Sequence, residues 1–132
     1  MSAKVNFGQN SRFKIGWIIL LVAATLMTLN HLSLIFILKE PTLFAGFAAF
    51  NLYAFLVIYI PFRRGEKWAW YTTWLLPIGL AVPAVISGNN IAIFYYAAAA
   101  VCVLGLLLTM RNFFSHEPGV VSPQPGNSTE AV

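Results

Sequence analysis

The chain has 132 residues, 59% of them hydrophobic and only 9% charged, with a mean hydropathy of +0.75. An ordinary soluble domain carries about 25% charged residues, and a small one exposes too much surface to hide this much apolar area, so the expected solvent is lipid. The net charge of +4 comes from short clusters beside apolar runs, without the basic, aromatic-interleaved face that nucleic-acid binding needs.

Residues 1–14 read as a cytoplasmic N-terminal segment. The first apolar run, Ile15 to Leu38, is too long for the apolar core of a cleaved leader, and no small-residue cleavage site follows it. In the link that follows, Glu40 and Pro41 suit the start of a second helix. The carboxylate favours the positive end of the helix dipole, and proline in the first turn gives up no hydrogen bond. The second run spans Pro41 to Phe62, the third Trp68 to Ser87 and the fourth Ile91 to Met110. At 1.5 Å per residue each covers a hydrocarbon core of about 30 Å. Pro77 and Pro83 should kink the third helix, and the Gly88-Asn89-Asn90 turn supplies the left-handed backbone of a tight link. Residues 111–132, rich in Pro, Gly and Ser, read as a disordered cytoplasmic tail, where the sequon at Asn127 should stay unmodified. The expected fold class is all-α, a four-helix transmembrane bundle with antiparallel up-down helices joined by short links.

Orientation follows from the cations. Lys4, Arg12 and Lys14 precede the first span, Arg63, Arg64 and Lys67 join the second and third, and Arg111 follows the fourth. The opposite side has only Lys39, offset by Glu40. The positive-inside rule then places both termini in the cytoplasm.

The one cytoplasmic loop, RRGEKWAWY, has an anchoring role for every residue. Arg63, Arg64 and Lys67 meet anionic head groups at about 1 kcal/mol each. Trp68, Trp70 and Tyr71 belong to the interfacial aromatic belt, and Glu66 supports the N-terminus of the next helix. The functional alternative is a docking patch for a partner or an acidic ligand, formed by Arg63, Arg64, Glu66, Lys67, Trp68 and Trp70. Together with Trp74 and Pro77, the pattern Arg63-x-Gly65-Glu66-Lys67-Trp68-Ala69-Trp70 resembles that of small, uncharacterised four-helix membrane proteins of bacteria and archaea. The resemblance covers about a tenth of the chain closely. It implies a fold and a plasma-membrane location, and no activity.

Polar residues inside spans are where function is sought first. The spans hold Thr25, Thr28, Asn30, His31, Ser33, Asn51, Tyr53, Thr72, Thr73, Tyr95 and Tyr96. On the expected topology His31, Asn51, Tyr95 and Glu40 line a shallow pocket opening outward. The bland alternative is that these groups make interhelical hydrogen bonds worth about 0.6 kcal/mol each. A second histidine is found only in the tail, at His116, so haem held by two histidines of the spans is excluded. A zinc site needs three or four ligands, which His31, Glu40 and a tyrosine barely supply, so no cofactor or metal is expected. General acid–base catalysis needs two titratable groups at one centre. Glu40, Glu66, Glu117 and Glu130 lie at opposite surfaces or in the tail. The lone cysteine, Cys102, sits in an apolar run and reads as a small packing residue.

Three faces of small residues should bring helices close: Ala98, Cys102 and Gly105; Gly79, Pro83 and Ser87; Ala45 and Ala49. The sequence therefore leaves two readings. The first is a non-catalytic accessory subunit that binds lipid and partner membrane proteins or a second copy of itself. The other is a protein binding lipid or a hydrophobic small molecule, or a lipid-modifying enzyme, through the outward pocket. A pore is third, since the spans lack charge.

Overall fold

The computed structural model describes residues 11–38, 41–87 and 92–114; of these, 94% are helical and none is in a strand, which makes the fold all-α. Helix α1 runs over Ser11–Ile37 and α2 over Pro41–Val57, continuing through a wider π turn at Ile58–Phe62. Pro61 lies inside that turn; lacking an N–H, it cannot pair with the carbonyl four residues back, and the wider turn gives its ring room. Helix α3, Lys67–Thr73, and α4, Leu75–Ser87, follow, and α5 covers Ala92–Phe114.

The segment expected as one kinked span is thus divided at Trp74. The cause is Pro77, which has no N–H to offer the Thr73 carbonyl. Trp74 instead bonds the Tyr71 carbonyl in a tighter turn, at 3.2 Å, and keeps right-handed helical torsions (φ −62°, ψ −22°). The chain therefore passes from α3 into α4 without leaving the helical region. Pro83, by contrast, is accommodated within α4.

Three helices are long and apolar enough to cross a membrane: Ser11–Ile37, Pro41–Phe62 and Ala92–Phe114. Their outward surface is apolar, with Ile15, Ile18, Leu26, Leu52, Leu104 and Leu107 all at least half exposed, while His31, Asn51, Thr73 and Thr109 are buried. An apolar surface this extensive would aggregate in water and is compatible with a bilayer.

Packing sets the helices in the order α2, α1, α5, α4, and the backbones of α2 and α4 hardly approach each other. The tightest crossing is α1 on α5. A side chain at Gly16 would reach within 2.7 Å of the Gly105 carbonyl oxygen, and one at Gly105 within 2.9 Å of Leu20. Cys102 and Gly105 of the expected small-residue face are buried in this crossing, and Gly16 on α1 completes it. Gly79 receives the Phe50 ring, 2.8 Å from where its Cβ would stand. Ala45 and Ala49, expected to pack, are exposed. One end of the molecule is closed by aromatic rings: Phe62 lies 4.9 Å from Phe113 and 6.2 Å from Phe13, and Phe114 lies 5.0 Å from Trp70.

Candidate functional site

At the other end α2 and α4 diverge, and a cleft of about 750 Å³ opens. Its walls come from the C-terminal half of α1, the start of α2, the second half of α4 and the start of α5. Phe44, Phe47, Val82, Pro83 and Phe94 make it apolar, and its polar groups are Asn30 and Tyr95. The size falls in the roughly 300–1,000 Å³ range of small-molecule pockets.

Behind this wall lies a chain of polar side chains from three helices. Asn51 Nδ2 donates to the Phe47 carbonyl at 2.8 Å and lies 3.0 Å from His31 Nδ1; His31 Nε2 lies 3.1 Å from the Tyr95 hydroxyl. His31 and Asn51 are each only 1% exposed. The His31 ring stacks on Phe47, with centroids 5.3 Å apart, and on Phe44 at 6.3 Å. The Phe47 carbonyl fixes the orientation of the Asn51 amide. A carbonyl only accepts, so the nitrogen of the Asn51 amide, not its oxygen, must face Phe47. That nitrogen also lies against His31 Nδ1, and the His31 ring has a further hydrogen bond to the Met27 backbone, while the Asn30 side chain hydrogen-bonds Tyr95. Asn51 Oδ1 is left buried with no hydrogen-bond partner, at a cost of about 1–3 kcal/mol.

The expected outward pocket is corrected in its lining. His31, Asn51 and Tyr95 do come together, across sequence separations of 20 and 64 residues, but only Tyr95 reaches the cleft. His31 and Asn51 stand behind it, because the rings of Phe44 and Phe47 lie over the imidazole. Glu40 lies outside the described residues. Sequence reading missed Phe44, Phe47 and Val82 as walls; the first two share a helical face with Asn51 and follow once Asn51 is placed inward. The hydroxyls expected to bridge helices bond within their own. Thr25, Thr28, Ser33, Thr72 and Thr73 each reach the carbonyl four residues back at 2.7–2.9 Å.

The loop between α2 and α3 differs from its expected docking role at one residue. Arg63, Arg64, Lys67 and Trp68 are exposed, and Gly65 takes the positive φ of 76° that turns the chain. Glu66, the residue just before α3, accepts from Trp68 Nε1 instead of capping the helix. Arg63 sits 5.4 Å over the Trp17 ring and Lys67 6.0 Å over Phe114, so both cations also pack on aromatic faces. Trp70, however, is buried at 7% exposure and donates to the Leu106 carbonyl at 3.3 Å. It is two residues from Trp68, hence on the opposite side of α3, and presents nothing to a partner or to the interface.

Among the described residues no three His, Cys, Asp or Glu side chains group as metal ligands. No family model, curated protein or solved structure matches this chain.

Proposed function

We propose that this chain is a membrane protein of four antiparallel spans, with both termini in the cytoplasm, that binds a lipid or hydrophobic small molecule in the cleft between α2 and α4. Support for the topology comes from the distribution of cations and from the cleft walls, which bring together two helix C-terminal halves and two helix starts. The third crossing is α3 with α4; Lys67 to Ser87 rises about 30 Å at 1.5 Å per residue. A plasma membrane of a bacterium or archaeon is the setting that the loop resemblance suggests.

One observation carries the binding reading: an apolar cleft of about 750 Å³ contains a tyrosine hydroxyl held from behind by buried hydrogen bonds. Apolar pockets with few, well-placed polar groups are the usual form of small-molecule sites. Because the α2 and α4 backbones stand apart at the cleft, such a molecule can enter sideways from the bilayer. A second reading, an accessory subunit docking on a partner, draws on the exposed Arg63, Arg64, Lys67 and Trp68.

Native mass spectrometry of the protein extracted into nanodiscs from its own membrane separates the two. A defined bound molecule that disappears in Val82→Trp, which fills the cleft, supports the first reading. A companion protein lost on replacing Arg63, Arg64 and Lys67 with glutamine supports the second. Equal retention by wild type and Val82→Trp rules out the cleft as the binding site.

A further inference from the structure

At the end of the molecule away from the cleft, the first turn of α1 and the last turns of α5 share a smaller cavity of about 280 Å³. Its wall is Arg12 from α1 and Leu107, Leu108, Arg111 and Asn112 from α5. The glycine crossing explains why two arginines from distant parts of the chain meet there. Gly16 stands one turn after Arg12, and a side chain at Gly16 would come within 3.1 Å of Leu108 Cβ. Residues four apart lie on one helix face, so Arg12 is carried against the stretch of α5 around Leu108 and Asn112. The placement follows from a close backbone crossing and not from a loop. Held on one cavity, the two positive charges repel each other, and an anion between them removes the repulsion. Arg12, Arg111 and Asn112 each already hold a contact; a guanidinium has five N–H donors, so one contact does not exhaust it. Glu66, the only carboxylate among the described residues, does not line the cavity and accepts from Trp68.

We infer that this cavity is a phosphate site, in which the Arg12 and Arg111 guanidiniums hold the phosphate of an anionic lipid while its hydrocarbon lies along α5. The inference goes beyond the cleft between α2 and α4 and rests only on the membrane placement proposed above. Arginine suits a phosphate because its planar fork offers two parallel N–H donors to two phosphate oxygens. The rest of the wall suits the chain. Leu107 is half exposed and so is Leu104, one turn deeper, so an apolar track leads from the arginines along α5. From Arg111 to Leu107 is about 6 Å along the helix at 1.5 Å per residue, comparable to the roughly 5–7 Å headgroup layer on each side of a hydrocarbon core. The volume falls just short of the roughly 300 Å³ at which whole-ligand pockets begin, so the cavity takes a headgroup and leaves the chains in the bilayer. A choline headgroup would set its own positive charge against the arginines. Asn112 offers an amide to a headgroup hydroxyl such as that of glycerol. The loop cations Arg63, Arg64 and Lys67 attract anionic lipid as a surface charge, whereas a cavity built from two helices holds one molecule.

The test uses the full chain in phosphatidylcholine nanodiscs to which phosphatidylglycerol is added in steps. Lipid retained on release into detergent is counted by native mass spectrometry. The expected result is one phosphatidylglycerol retained with a preference of about 30-fold over phosphatidylcholine, which two arginines at a lipid surface supply together. Arg12→Gln with Arg111→Gln should abolish that preference. Replacing Arg63, Arg64 and Lys67 with glutamine removes more charge and should keep it, as should Val82→Trp at the cleft. A second measurement needs no variant. Phenylglyoxal, an arginine reagent, should modify Arg12 and Arg111 several-fold more slowly once phosphatidylglycerol is present, with Arg63 and Arg64 as the internal reference. Glycerol phosphate added to pure phosphatidylcholine discs should give no such protection; protection by it would overturn lipid as the source of the phosphate. An undiminished preference in the Arg12, Arg111 variant, an equal loss in the loop variant, or equal slowing of all four arginines overturns the site. Loss in Val82→Trp alone places the lipid in the cleft, which overturns this inference and leaves the proposed binding function standing.

Discussion

The crossing of α1 on α5 gives a glycine series whose order can be worked out in advance. A Cβ at position 16 would stand 2.7 Å from the Gly105 carbonyl oxygen and 2.7 Å from Thr109 Cγ2. Ordinary contact begins near 3.4 Å, so the two backbones would have to separate by about 0.7 Å. Overpacking of this kind costs about 1–3 kcal/mol, against about 1 kcal/mol recovered because alanine favours helix over glycine. Gly16→Ala should therefore destabilise by up to about 2 kcal/mol. At Gly105 the nearest atom is the Leu20 side chain at 2.9 Å, with the Gly16 oxygen at 3.1 Å. A side chain yields more easily than backbone, so Gly105→Ala should cost less than about 1 kcal/mol. Gly46 has nothing within 4 Å, and Gly46→Ala should stabilise by a few tenths up to about 1 kcal/mol. Reversible unfolding in mixed dodecyl maltoside and SDS micelles, followed by far-ultraviolet circular dichroism, measures all three. A Gly16→Ala as stabilising as Gly46→Ala, or a Gly46→Ala as damaging as Gly16→Ala, would refute the close backbone approach.

The remaining predictions concern the core. Asn51→Ala should destabilise by less than the roughly 1–3 kcal/mol of a stranded buried group, because it takes away the amide beside His31 Nδ1 but also removes the unpaired Asn51 Oδ1. The double change His31→Leu with Asn51→Leu should cost less than the two single changes added together, since it removes both ends of the pair, and a double-mutant cycle in the same micelles checks this. Trp70→Ala should lose about 3–5 kcal/mol, for Trp70 packs on Phe114 and Trp74 and donates to Leu106. Trp68→Ala, at a half-exposed position, should lose less than about 1 kcal/mol; equal losses would contradict the burial of one and the exposure of the other. Cys102 is fully buried. It should resist a bilayer-soluble maleimide in the folded protein and react as SDS unfolds it, at the midpoint seen by circular dichroism.

Much of this molecule could be read from the linear chain because lipid imposes simple rules. A segment must be apolar for about 20 residues to cross, so the limits of three long helices were legible to within a few residues. Cations stay on one side, so the expected sidedness needed only a count. Proline lacks an N–H wherever it stands, so a disturbance near Pro77 was foreseeable, although its severity, a division at Trp74, was not. Polar residues are costly in a span, so His31, Asn51 and Tyr95 could be singled out.

Which way these residues face was decided only in three dimensions. In water a helix reveals its inner face by being apolar there and polar elsewhere. In lipid both faces are apolar, and that signal is lost. Trp68 and Trp70 therefore looked alike, yet one faces out and the other fills the core. Ala45 with Ala49 looked like a packing face as good as that of Cys102 with Gly105, yet it lies exposed. The cleft depends on α2 and α4 diverging beyond the contact of Phe50 with Gly79, and no local pattern encodes the separation of two helices far apart in the packing order. Segment length, sidedness and cost of polarity are properties of single residues in a solvent, whereas an inner face is a property of a neighbour.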